Sequence, residues 1–155
     1  MTDYDKIEFI SRMITDLLAA GGISARVDYE DSLSKGLVFN ISTRDAKILI
    51  GHQGSTLHSL EHLIHSIIAK HFAGQENPPY FSIDVDEYKR KREWYLKQTA
   101  KEAIEQLKRT GRPLTLTPMP NYERKFIHTY IQEQFPHVTS ESIGEEPYRK
   151  VKLSL

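Results

Sequence analysis

The sequence predicts an α+β protein made of two small units. Apolar residues at helical spacing alternate along the chain with short runs at period two, and both kinds of pattern occur in each half. The charge divides near residue 86. Residues 1–86 hold 7 Lys+Arg against 12 Asp+Glu, and residues 87–155 hold 14 against 9. The 155 residues suffice for one ordinary domain or two small ones.

In chain order, Ile7, Ile10, Ile14, Leu17 and Leu18 form a helical stripe over residues 4–19, and Gly21-Gly22 stops it. Residues 24–30 and 36–42 read as two strands, the second with Leu37, Phe39 and Ile41 alternating; residues 31–36 form the hairpin loop between them. Asp45 is placed to cap a short helix holding Ile48, Leu49 and Ile50. Gly51-His52-Gln53-Gly54 interrupts, and a longer helix runs to about Phe72 on the stripe Leu57, Leu60, Ile64, Ile67 and Ile68. Asn77-Pro78-Pro79 is a loop before the strand 80–85. The first half is thus α-β-β-α-α-β, with helices on one face of a three-stranded sheet.

The second half opens with a helix over about 87–109, buried through Leu96, Ala100, Ala103, Ile104 and Leu107 and ended by Gly111 and Pro113. A strand at 112–118 follows. Then comes a helix from Pro120 or Asn121 to about Phe135, with Tyr122, Phe126, Ile127 and Tyr130 as its expected buried stripe. Residues 138–143 and 148–155 read as a final strand pair, joined by a turn at 144–147. The order here is α-β-α-β-β. The expected division is 1–86 and 87–155.

The chain has no cysteine, which excludes disulfides and thiolate zinc sites. The acidic start, Met1 to Lys6, lacks the layout of a secretion signal. No apolar run nears the roughly 18 residues that span a bilayer. A soluble cytoplasmic protein without membrane insertion is expected. Nothing marks an enzyme: there is no P-loop, no carboxylate cluster for a metal and no Ser/His/Asp arrangement in a known context. No catalytic residue, cofactor or metal is assigned.

Several features bear on binding chemistry. Gly51 and Gly54 let the backbone turn tightly and approach a ligand, with the next helix's N–H groups behind it. His58, His62 and His65 share a helix stripe, expected to be a solvated polar face, with Glu61 and His65 as an i,i+4 pair. Lys89, Arg90, Lys91 and Arg92 cluster at a helix start, where the helix dipole disfavours cations, and this hints at a use in binding. Arg90, Trp94, Lys97 and Lys101 fall on one face of that helix, a stripe suited to phosphates and stacked bases, although Trp94 itself is expected to be packed. Arg124 and His128, four apart, share a helix face as a permanent cation and an imidazole, beside Lys125. The pair suits a phosphate or carboxylate better than catalysis.

The element order of residues 4–85, with its glycine loop, resembles a type II KH domain, a single-stranded nucleic-acid module whose GxxG loop clamps about four nucleotides. The middle of that loop is often basic; here it is His52 and Gln53, which implies weak binding by the isolated half. Residues 112–119, Asn121 to Lys125, His128, 139–142 and 144–150 resemble the RxxxH (arginine-three-histidine) domain of the bacterial Jag family, also called KhpB or SpoIIIJ-associated. With the KH-like half before it, the resemblance covers nearly the whole chain. It implies a fold of two modules, KH-like at 1–86 and RxxxH at 87–155. It also implies that Arg124 and His128 are exposed and touch phosphate, and that Arg149 and Lys150 are the basic residues of the last strand. Members of the family usually carry a small N-terminal domain and linker as well; this protein is expected to lack both, and no function resting on that domain is carried over.

The resulting expectation is a non-enzymatic protein that binds single-stranded RNA, with single-stranded DNA as the alternative ligand. It would act as a post-transcriptional regulator linked to cell elongation and division, with a partner KH protein or a second copy. Its nucleic-acid contacts would be Arg124, His128, Lys125, Gly51, His52, Gln53, Gly54, Lys89, Arg90, Arg92, Arg149 and Lys150. The rival expectation is an adaptor that dimerises through its first half and recruits proteins through its second.

Overall fold

The computed structural model describes residues 1–155. The chain falls into two compact units, Met1–Lys89 and Arg90–Leu155. The element order is α1 (Asp3–Ala20), β1 (Ala25–Ser32), β2 (Gly36–Thr43), α2 (Ala46–Ile50), a 3-10 turn (His52–Gly54), α3 (Ser55–His71), β3 (Phe81–Val85), α4 (Tyr88–Thr110), β4 (Leu114–Thr115), α5 (Asn121–Gln134), β5 (Thr139–Ile143) and β6 (Lys150–Ser154). This is the α+β class expected, in the expected order of elements.

In the first unit, Thr2 and Asp5 form a reciprocal capping box that starts α1. β1 pairs antiparallel with β2, from Ala25 opposite Thr43 to Ser32 opposite Gly36, so the hairpin loop is shorter than expected. β2 pairs in parallel with β3, which requires the crossover that α2 and α3 provide. Leu37, Phe39 and Ile41 then face the same way as Phe81, Ile83 and Val85. Ile10, Ile14 and Leu18 of α1 and Leu57, Ile64 and Ile68 of α3 complete this core. Asp45 occupies the cap position of α2 but makes no side-chain cap bond. Its own N–H donates to Thr43 Oγ1 at 3.2 Å instead.

The second sheet has the order β4-β6-β5, antiparallel throughout. Leu96, Ala100, Ile104 and Leu107 of α4 and Ile127 and Ile131 of α5 pack with Val151 and Leu153 of β6. β4 has two residues where 112–118 is expected. Pro113 and Pro118 flank it and have no N–H for a ladder. Single bonds continue the contact, from Leu116 N–H to the Val151 carbonyl and from Met119 N–H to the Arg149 carbonyl. The buried stripe of α5 is also rotated from expectation. Glu123, Arg124, Ile127 and Ile131 are buried, whereas Tyr122 is exposed and Phe126 and Tyr130 are half-buried. The Lys97 ammonium lies 5.9 Å from the Phe126 ring and 5.8 Å from the Tyr130 ring, which takes Lys97 off the expected stripe with Trp94.

Candidate nucleic-acid interface

The glycine turn of the first unit is shaped by its own packing. Gly51 ends α2 at φ 70°, ψ −169°, a region open in practice to glycine alone. Gln53 is left-handed at φ 51°, ψ 30°. Gly54, at φ 78°, caps α3 and is buried. A Cβ on Gly54 would stand 2.7 Å from the Tyr88 ring, and one on Gly51 would overlap Thr56. Both glycines are therefore required by the protein itself, whatever approaches the loop. His52 is exposed at its tip.

Neighbouring polar groups of this unit are occupied. Lys89 Nζ donates to both oxygens of Glu61, at 2.9 and 3.1 Å. Glu61 Oε1 also accepts the Ile83 N–H at 2.8 Å. Glu61 thus serves Lys89 and the sheet, not His65 as expected. His65 is half-buried and stacks on Phe81 with ring centroids 4.3 Å apart, so it does not belong to a solvated face. Asp84 accepts the Val85 and Lys89 N–H groups at 2.8 and 3.1 Å. Burial raises its pKa above the ordinary value, against those hydrogen bonds.

In the second unit the structure corrects the expected exposure of Arg124. The residue is 4% exposed. Its Nη1 donates to the Met119 carbonyl at 2.7 Å, and its Nη2 to Glu146 Oε1 at 2.6 Å. Arg124 Nε is buried without a partner. The cause is the rotation of α5, which turns the Arg124 side inward with Ile127 and Ile131. Arg124 therefore fastens the start of α5 to the segment between β5 and β6. Arg149 does similar work, donating to the carbonyls of Gly144 at 2.6 Å and Ser142 at 3.2 Å. Arg92 is held as a fork on the buried Glu123 carboxylate, with bonds of 2.7 and 3.0 Å.

His128 is the half-buried member of the pair. Its Nδ1 lies 2.8 Å from Ser140 Oγ and its Nε2 2.8 Å from Ser142 Oγ. These serines stand two apart on β5 and so share a face. One ring nitrogen donates to a hydroxyl and the other accepts from one. Burial lowers the imidazole pKa below its usual value, and the Arg124 cation lowers it further. The three side chains open onto a depression of about 720 Å³ that also involves Gln132, Val138 and Glu141. Lys125 is exposed and Lys150 half-exposed on the same unit. Among the expected contacts, Arg90 is exposed on α4. Trp94, expected to be packed, is 65% exposed. Ser140 and Ser142 are not among the expected contacts, although they lie in the 139–142 segment that carries the family resemblance and their spacing on a strand puts them on one face.

Residues 95–155 match the family model of the arginine-three-histidine (RxxxH) domain. An "RNA-binding protein KhpB" of Clostridium symbiosum is 34% identical over 149 residues, 96% of this chain and 64% of that protein. The chain resembles the Jag family, KhpB. A protein of the same name from Lactiplantibacillus plantarum is 32% identical over 86% of this chain and 40% of its own length. One from Bacillus subtilis is 31% identical over 87% of this chain and 64% of its own length. The chain thus spans less than two thirds of these relatives. No helix is long and apolar enough to cross a membrane.

Proposed function

We propose that this chain binds single-stranded RNA and performs no catalysis on it, with residues 1–86 acting as a KH-like module and residues 87–155 as an RxxxH module. The observation that carries the reading is a coincidence of place. The arginine-three-histidine match falls on the segment where an imidazole and two hydroxyls open onto a polar depression. The relatives are named as RNA-binding proteins, which supports RNA binding over the adaptor alternative.

In this reading His128, Ser140 and Ser142 offer hydrogen bonds to a phosphate or a base edge. Lys125 and Lys150 supply exposed charge. Arg124 and Arg149 are positioning residues, because their guanidinium donors already hold backbone carbonyls and, for Arg124, Glu146. The glycine turn, with His52 at its tip, offers a second and weaker contact. Cytoplasmic location, post-transcriptional regulation linked to cell elongation and division, and a partner KH protein or second copy belong to the same proposal. The regulatory role and the partner rest on the family resemblance alone.

The test is binding of a labelled uridine oligomer by the full chain as salt is raised. Each phosphate neutralised should contribute a slope of about −0.7 in log K against log salt. The oligomer should remain intact on a gel. Failure to bind at low salt, or cleavage of the oligomer, would sink the reading.

A further inference from the structure

Helix α4 carries a second surface that the contacts proposed above at His128 and the glycine turn leave unused. Trp94, the chain's one tryptophan, is 65% exposed, and Tyr95 beside it is 52% exposed. Large aromatic side chains left in water on a helix of an otherwise well-filled unit are the informative exception to burial. They border an open depression of about 680 Å³ whose other walls are Arg90 and Lys91. It shares no residue with the depression at His128.

The spacing is regular. Arg90 precedes Trp94 by four residues and Lys91 precedes Tyr95 by four, so each aromatic has a cation one turn away along its own row. The Tyr95 ring is braced from one side, with the Arg92 guanidinium carbon 5.0 Å from its centroid. Arg92 is itself fixed by its fork on Glu123. An occupant of such a surface must be flat and apolar in one part and anionic in the next. An unstacked nucleotide meets both conditions, with its base for the rings and its phosphates for Arg90 and Lys91.

We propose that Trp94 and Tyr95 form a stacking platform for one base of a single-stranded nucleic acid, with the flanking phosphates on Arg90 and Lys91. This rests on the RNA-binding reading above and adds to it a base-contacting site outside the arginine-histidine pair. It gives affinity with little sequence preference, since every base has a face to stack.

The lone tryptophan makes the site directly observable. The full chain is titrated with a labelled uridine oligomer while oligomer anisotropy and tryptophan emission are recorded together. Trp94 emission should change in step with anisotropy. An abasic oligomer of equal charge should raise anisotropy yet leave emission unchanged. Trp94→Ala, checked for folding by circular dichroism, should weaken binding roughly tenfold, and Trp94→Phe should restore most of the loss. Saturating anisotropy with unchanged emission, or wild-type affinity in Trp94→Ala, overturns the platform and leaves RNA binding standing. Equal quenching by the abasic oligomer or by polyglutamate also overturns it, assigning the surface to charge or to an acidic protein. No binding of any oligomer removes the RNA reading and the platform with it.

Discussion

The glycine turn of the first unit and the arginine-histidine helix of the second present their chemistry in opposite ways. At Gly51–Gly54 the backbone is committed to internal packing, and the side chain of His52 is left outside. On α5 the motif's arginine is drawn inward onto Met119 and Glu146, and the surface is left to His128, two serines and nearby lysines. A turn motif is defined by dihedral angles and stays where the chain bends. A charged side chain is long, and it goes to whatever carboxylate or carbonyl the fold brings within reach.

The largest expected effect tests how firmly the second unit holds its cations. Arg92→Ala strands the buried Glu123 carboxylate and should destabilise this unit by about 3–4 kcal/mol. Urea unfolding followed by Trp94 fluorescence measures it. A loss within experimental error would mean that Arg92 is available to nucleic acid after all. On the other side of the comparison, Gly51→Ala forces a Cβ into the glycine-only region and against Thr56. It should cost about 2–3 kcal/mol by circular dichroism.

Arg124→Ala comes next, at about 2 kcal/mol by denaturant unfolding. The cost is moderated because the abandoned Glu146 side chain is 57% exposed and can hydrate. If this variant were fully stable but bound RNA far more weakly, Arg124 would be a contact residue and the contrast between the two regions would break. A smaller effect is expected from pH. The depressed pKa of His128 means that the unfolded chain takes up this proton first as pH falls through about 6.5. Stability should therefore decline from that point until the lower, folded pKa is passed. His128→Asn should flatten this segment of the profile, measured as urea midpoints against pH. Smallest of all, Lys125→Ala should leave stability unchanged and reduce the salt slope of RNA binding by about one phosphate.

The elements are legible in the sequence because their apolar periods, 3.6 or 2, match what the sheets and helices bury. The glycines are legible because they take the turn's positive φ angles without steric cost. What escapes a sequence reading depends on distant partners. Glu123 is buried because Arg92, 31 residues earlier, reaches it. Ser140 and Ser142 matter because β5 lies beneath α5, and no local pattern states which strand a helix covers. The box at Thr2 uses Asp5 where Glu or Gln is the usual partner, which hides it from the usual pattern. Trp94 is expected to be packed, although its neighbours Arg90 and Lys91 already argue for water.

The fork of Arg92 on Glu123 also bears on the thermodynamics of an arriving ligand. Tyr95 lies beside a guanidinium whose rotamer folding has already chosen. If a base stacks there as proposed, the Arg92 side of the Tyr95 ring has no rotamer left to freeze, which lowers that part of the entropy penalty that flexible surfaces impose on association.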